Sequence, residues 1–152
     1  MSTTLRISYI CYHFINRLFL RHENPPNVAS TPPPLFIFIA RTLHRTNLPP
    51  SVPFAALILL RRLKSRYPIT CCSSGYGLFI TALVIATKVL INHPYSNKSW
   101  ATFIDGAFTL GKLNDMERTM CNNLDWDVGI SAGFLGQFVA MMEIYYFTGA
   151  GL

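Results

Sequence analysis

Apolar residues in this chain fall into blocks with helical spacing, and proline or glycine marks the ends of the blocks. "LFITALVIATKVL", residues 78–90, is apolar nearly all round, so a helix from about Tyr76 to Asn92 is expected to be the buried centre of the fold. Pro94 stops it, because a residue before proline disfavours the α region. Upstream, residues 35–46 read as a helix. "NLPPSVP" then breaks the chain, and the next helix runs from about Val52 to Tyr67, with Ser51 as N-cap, Pro53 in the first turn and Pro68 as stop. "ITCCSSGYG" reads as a turn-rich connection into the central helix. Downstream, "YSNKSW" opens a short helix, roughly Lys98 to Asp105, and another begins after Thr109, where Leu113, Met116, Met120 and Leu124 form one apolar stripe. "SAGFLGQFVAMMEIYYF" predicts a last apolar helix from about Ser131. No Asn-Gly or Asp-Gly hairpin and no sustained alternation favours strands. The pattern predicts an all-α bundle of five helices around a central third helix, with flanking N- and C-terminal helices.

The Pro-rich stretch "ENPPNVASTPPPL" divides the chain. Residues 1–34 are expected to be a poorly ordered N-terminal extension and linker, 35–130 the compact domain, and 131–152 a C-terminal helix. "LRISYICYHFINRLFLRH" is basic, aromatic and free of acids, like a transit peptide or a surface amphipathic helix, but His13, Asn16 and Arg17 break it too often for a signal peptide.

At 152 residues the chain suits one domain with its own core. Half the residues are apolar and 13% are charged, an excess that points to a buried partner surface or a membrane. The membrane alternative would use residues 76–92 and 131–147 as spans. Both are short for a bilayer core, and Lys88 would cost about 2.5–3.5 kcal/mol at its centre. The net charge of +6 is uneven: up to residue 98, eleven basic residues face Glu23 alone, whereas beyond it Lys112 and Arg118 face six acids. A basic face suits nucleic acid or acidic proteins, but no zinc-finger, RNP or KH pattern occurs, so no nucleic-acid partner is expected.

Cys11, Cys71, Cys72 and Cys121 form no C-x-x-C pair, and the adjacent Cys71 and Cys72 are too close for ordinary disulfide geometry, so reduced thiols are expected. His13, His22, His44 and His93 are scattered singly, and no metal, cofactor or small-molecule ligand is expected. No phosphate loop, nucleophile elbow, zinc helix or kinase signature is present. Asp125 and Asp127 flank Trp126 and read as solvated or capping carboxylates. The chain therefore reads as a binding module and not as an enzyme.

Two charged residues lie in apolar settings. Gly77, Thr81, Lys88 and Asn92 form the only polar seam on the central helix, which must face something wet, acidic or rich in carbonyls. Glu117 borders the apolar stripe of the later helix, next to Met120 and Cys121. If the two helices pack side by side, Lys88 and Glu117 meet. Spacing alone leaves two readings open, an internal ion pair with no partner or a pair that also grips a partner.

"ALILLRRLKSRYP", "SGYGLFITALVIATKVL", "YSNKSWATF" and "LNDMERTMCNNLDWDV" resemble, in order and spacing, the cyclin box of fungal PCL-type cyclins, the group related to the phosphate-pathway cyclin. The likeness covers about residues 35–130, and "YSNKSW" with "MERTMCNNLDW" is its most specific part. It implies a cyclin-box five-helix bundle around a central third helix. It also implies a non-catalytic subunit that binds and activates a cyclin-dependent kinase as a heterodimer, in control of the cell cycle or the phosphate response; with the reduced thiols, a nuclear and cytoplasmic location is expected. The family's kinase-contacting lysine and glutamate fall on Lys88 and Glu117, and exposed apolar residues such as Val89 and Leu90 would supply dry contact around them. "FIFIARTLHRT" lacks the M-R-A-I-L substrate-docking pattern of mitotic cyclins, and "INHPYSN" replaces the acidic turn of close relatives. These departures keep a second reading open, a degenerate cyclin-like scaffold that activates no kinase.

Overall fold

The computed structural model describes residues 2–19, 33–67 and 74–148. The described residues form seven α-helices and no strand: α1 Thr3–Phe19, α2 Pro34–Thr46, α3 Ser51–Arg66, α4 Gly75–Leu90, α5 Asn97–Phe103, α6 Leu110–Asn123 and α7 Ala132–Glu143. A π-helical turn, Ile144–Thr148, continues α7. With α1 counted, the expected third helix is α4 and the expected fifth is α6.

Local chemistry sets most of the helix starts. The hydroxyls of Ser74, Ser96, Thr109 and Ser131 accept from the backbone N–H groups of Gly77, Ser99, Lys112 and Phe134, which satisfies donors that a helix leaves open at its N-terminus. At α3 the expected cap is off by one. Ser51 is the first helical residue, preceded by Pro50 at φ −58°, and no side chain caps this end. Proline already holds the backbone at a helical φ, so the start does not depend on a side-chain acceptor. Asn47 ends α2 in the left-handed region at φ 47°, where its short polar side chain is tolerated.

α4 is the axis of the core. Its residues from Gly77 to Thr87 are all buried, and it packs against α3 and α6 as well as α1 and α2. Its expected polar seam faces α6: Gly77 and Thr81 border a cavity of about 190 Å³ whose far wall includes Lys112, Asp115 and Met116. Leu113, Met120 and Leu124 of the predicted stripe are buried and Met116 is half-buried against the core.

The expectation of a poorly ordered N-terminal extension is corrected for Thr3–Phe19. These residues form α1, which packs on α2, α3 and α4 and buries Ile10, Cys11 and Ile15 completely. The stretch is the amphipathic helix that its pattern allowed, but its apolar side closes the bundle instead of lying on a surface. α7 completes the same body: it packs on α3, Phe138 meets Phe14 of α1 edge-on at 6.1 Å, and Glu143 pairs with Arg6 at 2.7 Å. The Pro-rich stretch, apart from Pro33 to Leu35, and Cys71 and Cys72 lie outside the described residues. Cys11 and Cys121 are buried free thiols. Among the described residues no helix is long and apolar enough to cross a membrane.

Candidate functional site

Lys88 stands in the last turn of α4, where the helix emerges from the core: Thr87 is buried, Lys88 is exposed, and Val89 and Leu90 are half-buried. The α4–α6 packing brings Glu117 alongside. The Lys88 ammonium donates to both carboxylate oxygens, Nζ to Oε1 at 2.8 Å and to Oε2 at 2.9 Å. The pair sits at the surface without being fully solvated, since 37% of the lysine side chain and 21% of the glutamate side chain remain accessible.

A third side chain, which sequence reasoning missed, fixes the pair. Asn97, the first residue of α5, donates from Nδ2 to Glu117 Oε1 at 2.8 Å and to Asn114 Oδ1 at 2.7 Å. α5 is held in place by Trp100, which is completely buried, and by its Ser96 cap. The signal was available in "YSNKSW", because a capped helix start next to a buried tryptophan fixes where its first side chain points. Glu117 is thus anchored from two helices besides its own.

Together these residues form a shallow polar cleft of about 470 Å³, lined by Lys88, Asn97, Asn114, Glu117, Asn122 and Trp126, with Arg118 at its edge. Trp126 is 63% exposed, and its indole Nε1 donates to Asn122 Oδ1 at 3.0 Å. Both Asp125 and Trp126 have positive φ, 51° and 58°, in the turn after α6. That conformation is costly for non-glycine residues and needs outside support. Support comes from α3. Arg66 donates to the carbonyl of Leu124, to Asp125 Oδ2 at 3.3 Å and to Asp127 Oδ2 at 2.7 Å, while Arg62 donates to the carbonyl of Asp127 at 3.0 Å. Asp125 and Asp127, expected as solvated or capping groups, are exposed, and they also accept from α3, which ties this turn to that helix.

Cys121 lies beneath the pair, and its thiol pKa is raised, chiefly by burial and further by the nearby Glu117 carboxylate, against an opposing effect of Lys88. Val89 and Leu90 were expected as exposed contact residues. Both are half-buried against the core, because the apolar last turn of α4 is still covered, so each offers only part of its side chain to a partner.

The family model for the cyclin N-terminal domain matches residues 8–129, from the first turns of α1 to the turn after α6. This chain belongs to the cyclin family. The cyclin box therefore includes α1, which agrees with the packing of that helix. In Saccharomyces cerevisiae the chain is similar to PHO85 cyclin-9, with 30% identity over 115 residues, covering 74% of this chain and 38% of that protein. It is also similar to PHO85 cyclin-2, 33% identical over 112 residues that cover 69% of this chain and 35% of the relative. PHO85 cyclin-1 is 33% identical over 102 residues, covering 65% and 37%. These likenesses group the box with the PCL-type cyclins. The chain spans little more than a third of the length of the curated relatives it matches.

Proposed function

We propose that this chain is a non-catalytic regulatory subunit that binds and activates a cyclin-dependent protein kinase of the PHO85 type. It acts as a heterodimer in the nucleus and cytoplasm, in control of the cell cycle or of the nutrient and phosphate response. The observation that carries this reading is the Lys88–Glu117 pair, which is held rigidly at the surface and still has unused hydrogen-bonding capacity. An ammonium has three N–H donors and Lys88 spends two on Glu117, so one remains for a partner carbonyl. Each carboxylate oxygen has two acceptor sites; Oε1 takes Lys88 and Asn97, whereas Oε2 takes only Lys88 and keeps one for a partner N–H. One donor and one acceptor side by side suit the backbone at the end of a kinase helix.

A kinase becomes fast when the glutamate of its mobile helix swings inward to pair with the lysine at the ATP site. A subunit that binds the inward state more tightly than the outward one shifts the population toward it. Because Asn97 and Trp100 order the pair beforehand, little conformational entropy is lost when the kinase docks.

The test is a reconstituted assay of the full chain with a PHO85-type kinase, comparing the parent with Lys88→Glu and Glu117→Lys. Activation by the parent and its loss in both variants, at unchanged helicity, is expected. A parent chain that binds the kinase without raising its activity would instead mark a cyclin-like scaffold, and full activity in both variants would remove the pair from the interface.

A further inference from the structure

A second surface lies on the other elements of the bundle, where α1, α3 and the end of α7 meet. Phe14, Met142, Tyr145 and Tyr146 line a cavity of about 340 Å³ with Arg17 and Arg61 beside them. Phe14 and Met142 are buried, whereas both arginines are exposed. Arg17 donates to the Tyr145 hydroxyl and lies 4.9 Å from the centre of its ring. Arg61 lies 5.7 Å from the ring centre of Phe138, which sits in the core below.

No carboxylate among the described residues pairs with Arg17 or Arg61. Glu143, the one acid of α7, pairs with Arg6, and Asp125 and Asp127 pair with Arg62 and Arg66. None of the residues lining this groove lines the Lys88 cleft. The two sites are therefore built from different side chains on different helices.

We propose that this groove docks a segment of a second protein partner in which an acidic residue stands beside an aromatic or aliphatic one. Charge complementarity selects the acid. Two guanidiniums without carboxylate partners offer charge-assisted hydrogen bonds, and their planar forks match a carboxylate. The floor selects the apolar neighbour, since burying one apolar side chain over Phe14 and Met142 removes from water the surface the cavity leaves open. A bare anion would satisfy the arginines and leave that floor uncovered. Tyrosine and arginine are also the residue types that dominate binding energy at protein interfaces. Binding here is measured on the chain alone and does not rest on kinase activation.

The test is fluorescence anisotropy of the full chain with a short labelled peptide of aspartates and glutamates around one phenylalanine, at physiological salt. Arg17→Glu and Arg61→Glu are each expected to weaken binding about tenfold or more. Replacing the peptide's phenylalanine by serine is expected to weaken it comparably. Arg41→Glu, on the exposed side of α2, changes net charge equally and is expected to leave affinity within about twofold. Equal weakening by Arg41→Glu would reduce the effect to net charge and overturn the proposal. So would indifference to the peptide's phenylalanine combined with displacement by inorganic phosphate, the behaviour of a simple anion site. Tighter binding on Glu23→Gln would assign the groove to this chain's own segment 20–32, and self-association of the parent chain abolished by Arg61→Glu would assign it to a second copy; either overturns the partner reading. If Arg17→Glu loses its helical signal, Arg61→Glu decides, because Arg61 contacts the core only from outside.

Discussion

Asn97 and Glu117, on α5 and α6, share a hydrogen bond of 2.8 Å from Nδ2 to Oε1. Both oxygens that Asn97 Nδ2 faces are acceptors, one from Glu117 and one from Asn114 at 2.7 Å. An amide donor is therefore required at this point, and a second acceptor would meet repulsion.

Asn97→Asp keeps the shape and puts a carboxylate against Glu117. At neutral pH the variant is expected to be less stable than the parent by about 1–3 kcal/mol, because a donor is lost and like charges meet. Protonation of a carboxylate relieves that repulsion, so the deficit relative to the parent is expected to shrink as pH falls. Thermal melts of parent and variant at neutral and mildly acidic pH check this. Asn97→Ala, which loses the donor without adding a charge, is expected to show a smaller deficit at neutral pH than Asn97→Asp.

Arg66→Ala removes the main support of the turn that carries Asp125 and Trp126 in the left-handed region. A loss of about 0.5–1.5 kcal/mol is expected, since the Leu124 carbonyl loses its donor and two exposed carboxylates lose an ion-pair partner. Arg66→Lys recovers only part of it, because an ammonium lacks the forked geometry. The readout is tryptophan quenching by iodide. Trp100 is fully buried, so a change in accessible signal with intact helicity reports movement of Trp126.

Burial pushes the Cys11 thiol up from its ordinary 9.0 to about 12. As pH rises above about 9 the unfolded chain loses this proton while the folded chain keeps it, so the contribution to stability is full below pH 9 and is lost progressively toward pH 12. Cys11→Ala is expected to remove that part of the alkaline loss, at the cost of a small cavity, which denaturant titrations at neutral and alkaline pH measure. In the native chain at pH 8, mass-resolved alkylation is expected to leave Cys11 and Cys121 unmodified.

Removing residues 1–32 strips α1 from α2, α3 and α4. Ile7, Ile10, Phe14 and Ile15 are all buried, and each such side chain contributes about 1.5–3 kcal/mol, which together rivals the whole stability of a typical domain. The truncated chain is expected to unfold or aggregate, visible as lost cooperativity in a thermal melt. Ile15→Asp in the full chain is expected to do the same.

Most helix positions were legible because their signals are local. The apolar period and the prolines place the starts of α2 to α7 within one residue of those expected, and Ser74, Ser96, Thr109 and Ser131 supply the caps, whereas α7 ends at Glu143, short of the expected span. The place of α1 in the compact body was not legible because the features that suggested an extension, Arg6, Tyr9 and Arg17, belong to its outer side. There they meet Glu143, the Tyr146 and Phe147 rings and Tyr145, all contributed by the end of α7. Val89 and Leu90 were assigned to the surface by their neighbourhood to Lys88, whereas the degree of cover on the last turn depends on what packs beside it.

The sequence by itself determined the all-α class, the central helix and the likeness to PCL-type cyclins, and the pairing of Lys88 with Glu117 followed once their helices were set side by side. These features rest on periodicity, capping and motif order, which act over a few residues at a time. Only the tertiary structure decided that α1 closes the box, that Asn97 anchors the pair, and that Arg66 reaches the Leu124 carbonyl, 58 residues away in sequence. Which long polar side chain finds which acceptor depends on how helix faces are brought together in space, and no local pattern encodes that distance.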